Sequence, residues 1–169
     1  MELLKEINPD RLAPDKISKL KPRQAVRAVI FDQNNLVALV YSVENQYHKI
    51  PGGGVEAGES LTQALARECL EETGCRISVF GELGKIIEYR TRFNLKQESF
   101  CYLARVLGNK GQPDFTAEEI AKGFMVKWVN LPQAIKLLSA DRLSDYESGF
   151  IRPRELTILK KAQEDLTIY

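Results

Sequence analysis

The sequence predicts a single α/β (α+β) domain, a mixed sheet with a few helices, and three observations carry that expectation. Short apolar and β-branched runs recur between turn signals from Gln24 to Val129. A well-capped helical segment, Leu61–Thr73, interrupts them, and two further helical segments close the chain. The length of 169 residues, 44% of them hydrophobic, suits one sizeable core.

Taken in order, Met1–Lys21 is charged and broken by Pro9 and Pro14, with Pro22 just beyond. It reads as a loosely attached arm ahead of a single domain over residues 22–169. Gln24–Phe31 and Leu36–Tyr41 read as strands on either side of an Asp32–Asn35 turn. Tyr47–Ile50 is a short strand running into Pro51-Gly52-Gly53-Gly54, where the chain turns tightly. Leu61–Thr73 is a helix, with Ser60 and Gln63 as a capping box and Gly74 at the left-handed C-cap position. Arg76–Phe80, Lys85–Tyr89 and Ser99–Leu107 follow as strands, then a polar loop over Asn109–Glu119 and a strand at Phe124–Val129. Leu131–Ser139 is a helix, and Pro153–Glu164 is a closing helix with Pro153 in its first turn.

The composition excludes several function classes. A formal net charge of +1 gives no global basic field, so a nucleic-acid polymer or an anionic membrane is not the expected partner. Cys69, Cys75 and Cys101 are too few and too scattered for a disulfide framework and read as half-buried thiols in a reducing compartment. His48 is the only histidine and reads as structural, with substrate contact as its alternative. The first residues lack the apolar run of a signal peptide, and no apolar stretch is long enough to span a bilayer. The cytoplasm is the expected location.

The chemistry concentrates on the Leu61–Thr73 helix. Glu68, Glu71 and Glu72 stand at i, i+3 and i+4 and share a face that overlaps the side holding Leu61, Ala64 and Leu65. Glu71 and Glu72 lie in the last turn, against the negative end of the helix dipole, at a cost of roughly 0.3–1 kcal/mol each. Arg67, four residues before Glu71, offsets part of that. The remaining charge calls for a hard cation, Mg²⁺ or Mn²⁺, and Mg²⁺ held by few carboxylates points to phosphate chemistry.

The run Gly53-Gly-Val-Glu-Ala-Gly-Glu59-Ser-Leu-Thr-Gln-Ala-Leu-Ala-Arg67-Glu68-Cys-Leu-Glu71-Glu72-Thr-Gly74-Cys75 resembles the Nudix box, G-x5-E-x7-R-E-U-x-E-E-x-G-U. All seven fixed positions match, while Cys69 and Cys75 stand where bulky aliphatics are usual. The resemblance extends more weakly from Pro22 to about Ser139. It implies a Nudix fold, a mixed β-sheet sandwiched between α-helices. It also implies hydrolysis of a nucleoside diphosphate linked to another moiety, of which MutT-like nucleoside-triphosphate cleansing is one form. Carried over by position, Glu68, Glu71 and Glu72 are metal ligands and catalytic, and Glu68 is also a candidate base. Arg67 orients a box glutamate, Glu59 has a supporting role and Gly52 offers its carbonyl to the metal. A further glutamate outside the box assists in many members; Glu119 and Glu118 are the first candidates and Glu98 the second. A homodimer is common in the family.

Other readings carry less. Gly52-x-Gly54-x-x-Ala57 loosely fits a dinucleotide fingerprint, but Glu56 and Glu59 would repel a pyrophosphate there, and no Walker A lysine is present. The alternative to an enzyme is a catalytically silent Nudix domain that binds a nucleotide, a metabolite or a protein. Such domains typically lose box carboxylates, and this chain keeps them all. For the substrate, Tyr47 with Tyr41, Tyr89 and Phe93 are candidates to stack on a base, and Arg90 and Arg92 to meet phosphate. Arg90–Lys96 reads either as a loop over the site or as a hairpin tip.

Overall fold

The computed structural model describes residues 1–141 and 145–167. In chain order its elements are β1 (Leu3–Ile7), α1 (Pro14–Ile17), β2 (Lys21–Phe31), β3 (Val37–Ser42), β4 (Tyr47–Lys49), α2 (Leu61–Thr73), β5 (Arg76–Arg90), β6 (Leu95–Leu107), α3 (Ala117–Ala121), β7 (Phe124–Val129), α4 (Leu131–Ala140) and α5 (Ser148–Thr167). The strands form one mixed sheet in the order β1-β5-β6-β2-β3-β4, with β7 pairing β3. β2 runs parallel to β6 along its full length, and β5 and β6 form a long antiparallel hairpin.

Helices cover both faces, so β2 is apolar on both sides rather than alternating. Val26, Ala28 and Ile30 face α2, meeting Ala64, Leu65 and Cys69. Val29 and Phe31 face the other way, into a core shared with Leu131, Ala134 and Leu138 of α4 and Phe150, Ile158 and Leu159 of α5. Cys69, Cys75 and Cys101 are free and fully buried, not half-buried as their scatter suggested, because each lies where the helices pack on the sheet or close beside it.

Several elements differ from the sequence reading for identifiable reasons. Arg76–Phe80 and Lys85–Tyr89 are one strand, bent by register shifts at Gly81 and Gly84. Within the segment read as an arm, Leu3–Ile7 pairs in parallel with β5, at the edge of the sheet. Gly84 permits that approach: a Cβ there would lie 2.7 Å from the Leu4 side chain. The polar stretch 109–119 ends in α3, which Thr116 and Glu119 start with their own capping box. Arg90–Lys96 is the tip of the β5–β6 hairpin, with a single 3₁₀ turn at Thr91–Phe93.

Beneath the N-terminal part of α5 the core is ionic. Arg154, 2% exposed, donates Nη1 to both oxygens of Glu88 at 3.1 Å and Nη2 to Glu155 at 2.6 Å. Gln97 donates to Glu88 at 2.6 Å, and Arg90 donates to it at 3.1 Å. Burial pushes the Glu88 carboxyl up, but Arg154 and Arg90 outweigh it and hold it below the ordinary carboxylate range. Removing one partner of such a layer strands the other charge. Arg154→Met is therefore expected to cost roughly 3–5 kcal/mol in urea unfolding. A loss under about 1 kcal/mol would show that the layer is solvated or loosely held.

Candidate functional site

The site begins as a backbone seam. Residues 51–55 lie antiparallel against β2: Ala28 N–H bonds the Pro51 carbonyl at 3.0 Å, Val26 N–H the Gly53 carbonyl at 2.9 Å, and Val55 N–H the Gln24 carbonyl at 3.0 Å. Gly52 has φ +137°, and a Cβ there would sit 2.1 Å from the Val26 carbonyl oxygen. Only glycine permits this contact. At Gly53 an added Cβ would lie 2.3 Å from both carboxylate oxygens of Glu68, so its missing side chain is the space that Glu68 occupies.

From this seam the chain turns through residues 56–59 into α2. The Ser60 hydroxyl accepts from Gln63 N at 3.2 Å, and the Gln63 carboxamide accepts from Ser60 N at 2.9 Å. Gly74, at φ +68°, ends the helix and donates to the Leu70 carbonyl at 2.8 Å. The capping box and the left-handed glycine expected at these positions are both present.

Arg67 is the hub of the outer carboxylates. It grips Glu59 with two parallel bonds at 2.8 and 2.9 Å, and reaches Glu68 at 2.9 Å, Glu71 at 3.2 Å and the Gly54 carbonyl at 3.0 Å. Its bond holds the Glu59 carboxyl down to about 2, from an ordinary 4.5. Glu68 is shifted the other way. Burial raises its carboxyl, Arg67 opposes that, and the nearby Glu72 charge raises it further.

Glu72 sits apart, 5% exposed. Lys49 of β4 donates to one of its oxygens at 2.6 Å, and Gly52 N–H donates to the other at 2.7 Å. The Gly52 carbonyl accepts from the Arg27 guanidinium. The three box glutamates thus divide between two internal cations. Among the described residues, no group of three or more His, Cys, Asp or Glu side chains is already gathered for a metal ion. The donor set still suits a hard cation. It is all oxygen, and two of its carboxylates lie close enough for one to raise the other.

The remaining sequence candidates are scattered. Glu119 accepts from the Thr116 backbone and hydroxyl at 2.9 Å each, and Glu118 pairs with Lys122, so both serve the start of α3. Neither bonds a box residue among the described contacts. Glu98 lines a cleft of about 620 Å³ with Glu56, Glu59, Arg23 and Lys96, on the outer side of the box turn. Arg90 is buried against Glu88 and over the Phe150 ring, while Arg92 lies 4.4 Å over Tyr146, whose ring also meets Phe93. Tyr47 is half-buried on β4, and Tyr89 is buried on β5. Tyr41 stacks on His48, whose ring bonds Asp141 at the end of α4 at 2.9 Å.

Sequence reasoning passed over Arg27, Lys49 and Arg23. A signal was available for Arg27: a lone charge inside the apolar run Ala25-Val-Arg-Ala-Val-Ile-Phe, at a position sharing a face with Val29 and Phe31.

Comparison with known proteins places this geometry. The NUDIX domain family matches residues 21–148. A Bacillus subtilis (strain 168) protein named "Putative 8-oxo-dGTP diphosphatase" is 26% identical over 129 residues, covering 75% of this chain and 80% of that one. An RNA pyrophosphohydrolase of Pelagibacter ubique (strain HTCC1062) is 26% identical over 157 residues, covering 84% of this chain and 98% of the relative. Among solved structures, a NUDIX hydrolase from Nitrosomonas europaea superposes with TM-score 0.66 at 21% identity, over 88% of this chain and 96% of its own.

The Glu59–Arg67 grip yields a pH prediction. A carboxyl whose value is depressed on folding stabilises the fold fully above its ordinary 4.5, and that contribution is lost as the pH falls towards about 2. Wild type should therefore melt above Glu59→Gln at neutral pH, with the gap closing progressively below pH 4.5. Thermal melts in a pH series measure this, and a gap unchanged at pH 2 contradicts it.

Proposed function

The chain belongs to the Nudix family, and on that footing we propose that it is a pyrophosphohydrolase acting on a nucleoside diphosphate linked to a second moiety. The observation that carries this reading is the complete box, with every carboxylate present and the α2 glutamates set beside a glycine turn fixed to β2. A silent binding module typically loses box carboxylates, and this chain keeps them all.

Glu68, Glu71 and Glu72, with the Gly52 carbonyl, are the groups we assign to a divalent cation, Mg²⁺ or Mn²⁺. When bound, that ion supplies charge neutralisation on phosphate oxygens and acidifies water. Glu68 is the group we assign to take the proton of the attacking water, since its buried position favours the protonated form more than an ordinary surface carboxylate does. Arg67 holds Glu68 and Glu71 in place, and Glu59 holds Arg67.

The substrate class follows the family and its relatives: a small nucleotide or nucleoside-diphosphate derivative, with nucleoside-triphosphate cleansing as the first form to test. The cytoplasm is the compartment we assign, consistent with three free, buried thiols, and a homodimer is the assembly that the family resemblance suggests.

A substrate panel with purified protein tests the reading. It should contain oxidised and ordinary nucleoside triphosphates, ADP-ribose, a dinucleoside polyphosphate, a nucleotide sugar and a 5′-triphosphorylated RNA oligonucleotide. Metal-dependent release from at least one is expected. Glu72→Gln should lower its kcat by at least ~100-fold, roughly 2.7 kcal/mol of barrier, with the fold intact by circular dichroism. Wild-type turnover in that variant would remove Glu72 from the site. Binding without turnover in both Mg²⁺ and Mn²⁺ would favour the module.

A further inference from the structure

The inner side of the glycine turn holds an arginine that the box motif does not name. Arg27 stands on β2 between Val26 and Ala28, the two residues whose amides fasten the turn. Its Nη1 donates to the Gly52 carbonyl, and Gly52 N–H donates in turn to Glu72. The residue is 8% exposed. Its Nε–H is buried and finds no acceptor among the described residues. A guanidinium grips a phosphate or carboxylate most effectively along the edge formed by Nε and Nη2, with two parallel bonds. The Gly52 bond leaves from Nη1, so it does not consume that edge.

The surrounding charges leave the same group unpaired. Arg27, Arg90 and Arg154 share the layer between the sheet and α5 with Glu88 and Glu155. Both carboxylates are committed to Arg154, and Glu88 also to Arg90. Glu72 and Glu68, the box carboxylates close to Arg27, are held by Lys49 with the Gly52 amide and by Arg67 respectively. The layer therefore carries one cation in excess, and burial penalises it. A buried cation whose Nε–H has no acceptor among the described residues fits an oxyanion.

We propose that the Nε edge of Arg27 binds a phosphoryl oxygen of the substrate's diphosphate from the inner side of the glycine turn. The inference rests on the pyrophosphohydrolase reading and adds to it a substrate-binding residue outside the box. The bond to Gly52 fixes the guanidinium in one orientation. A lysine at this position keeps a charge and a donor for the Gly52 carbonyl but has no paired edge.

Arg27→Lys is accordingly the informative variant. Its affinity for inorganic pyrophosphate, titrated calorimetrically in the presence of Ca²⁺, is compared with that of wild type. Mn²⁺ affinity of the protein alone and thermal melting are measured alongside. The expected result is pyrophosphate binding at least tenfold weaker than wild type, with Mn²⁺ affinity no weaker and the melting temperature little changed. For a substrate that is turned over, KM should rise by a larger factor than kcat falls. Wild-type pyrophosphate affinity in Arg27→Lys overturns the proposal and leaves Arg27 as a clamp on Gly52. A wild-type protein that does not bind pyrophosphate at all overturns it as well. Arg27-dependent pyrophosphate binding in a protein that hydrolyses nothing on the panel supports the oxyanion site while refuting the hydrolase reading.

Discussion

The contact between the Gly52 backbone and the Val26 carbonyl is the constraint from which the rest of the site follows. With any side chain at residue 52 the turn could not lie on β2, because the first added atom would overlap the Val26 carbonyl. Once the turn is seated, its backbone groups take fixed positions on either side. Gly52 N–H points to Glu72, the Gly52 carbonyl receives Arg27, and the Gly54 carbonyl receives Arg67. The bare Cα of Gly53 leaves the room in which the Glu68 carboxylate lies. Thus the sheet, through one strand's backbone, sets where the helix's acids stand.

Electrostatics then explains how the acids are tolerated. The dipole and like-charge penalties at the end of α2 are each below about 1 kcal/mol. A hydrogen bond to a charged group returns roughly 1.5–3 kcal/mol. Glu72 has two such bonds, one from Lys49 and one from Gly52 N–H, and Glu68 and Glu71 share Arg67. The internal cations therefore outweigh the local repulsion, and the fold does not depend on an external ion to hold these side chains. A divalent ion must compete with Lys49 and Arg67 for their oxygens. This makes metal affinity a property of the basic residues as much as of the acidic ones.

Much of this was legible in the chain, and the exceptions share a cause. α2 was readable to the residue because caps are local: Ser60, Gln63 and Gly74 act within a turn of themselves. The apolar runs of β2 and β3 were readable because both sheet faces are covered there. The β5–β6 hairpin was misread as separate pieces, since Gly81 and Gly84 look like breaks in one dimension and act as bulges once β6 fixes the register. β1 was missed because its strand character comes from pairing with β5, not from its own charged sequence. At the site, the box residues announced themselves by spacing. Arg27 and Lys49 did not, because their partners lie 25 and 23 residues away along the chain.

The ionic layer under α5 needs an explanation other than stability. Burying Arg27, Arg90 and Arg154 with Glu88 and Glu155 gains little over an apolar core of the same volume, since desolvation consumes most of the attraction. Its consequence is geometric. Glu155 accepts from Ile50 N–H at 3.4 Å, one residue before the Pro51-Gly52 turn, and Arg154 joins Glu155 to Glu88 on β5. Gln97, bonded to Glu88, also accepts from Arg23 at 2.9 Å, and Arg23 lines the cleft beside the box. Directional bonds therefore run from α5 to both ends of the site: to the strand that enters the glycine turn and to Arg23 in the wall of the cleft. An apolar core would pack these elements together without fixing their orientation. The polar one fixes the approach to the turn and leaves Arg27 unpaired beside the carboxylates, which is the arrangement expected where a phosphate is to be received.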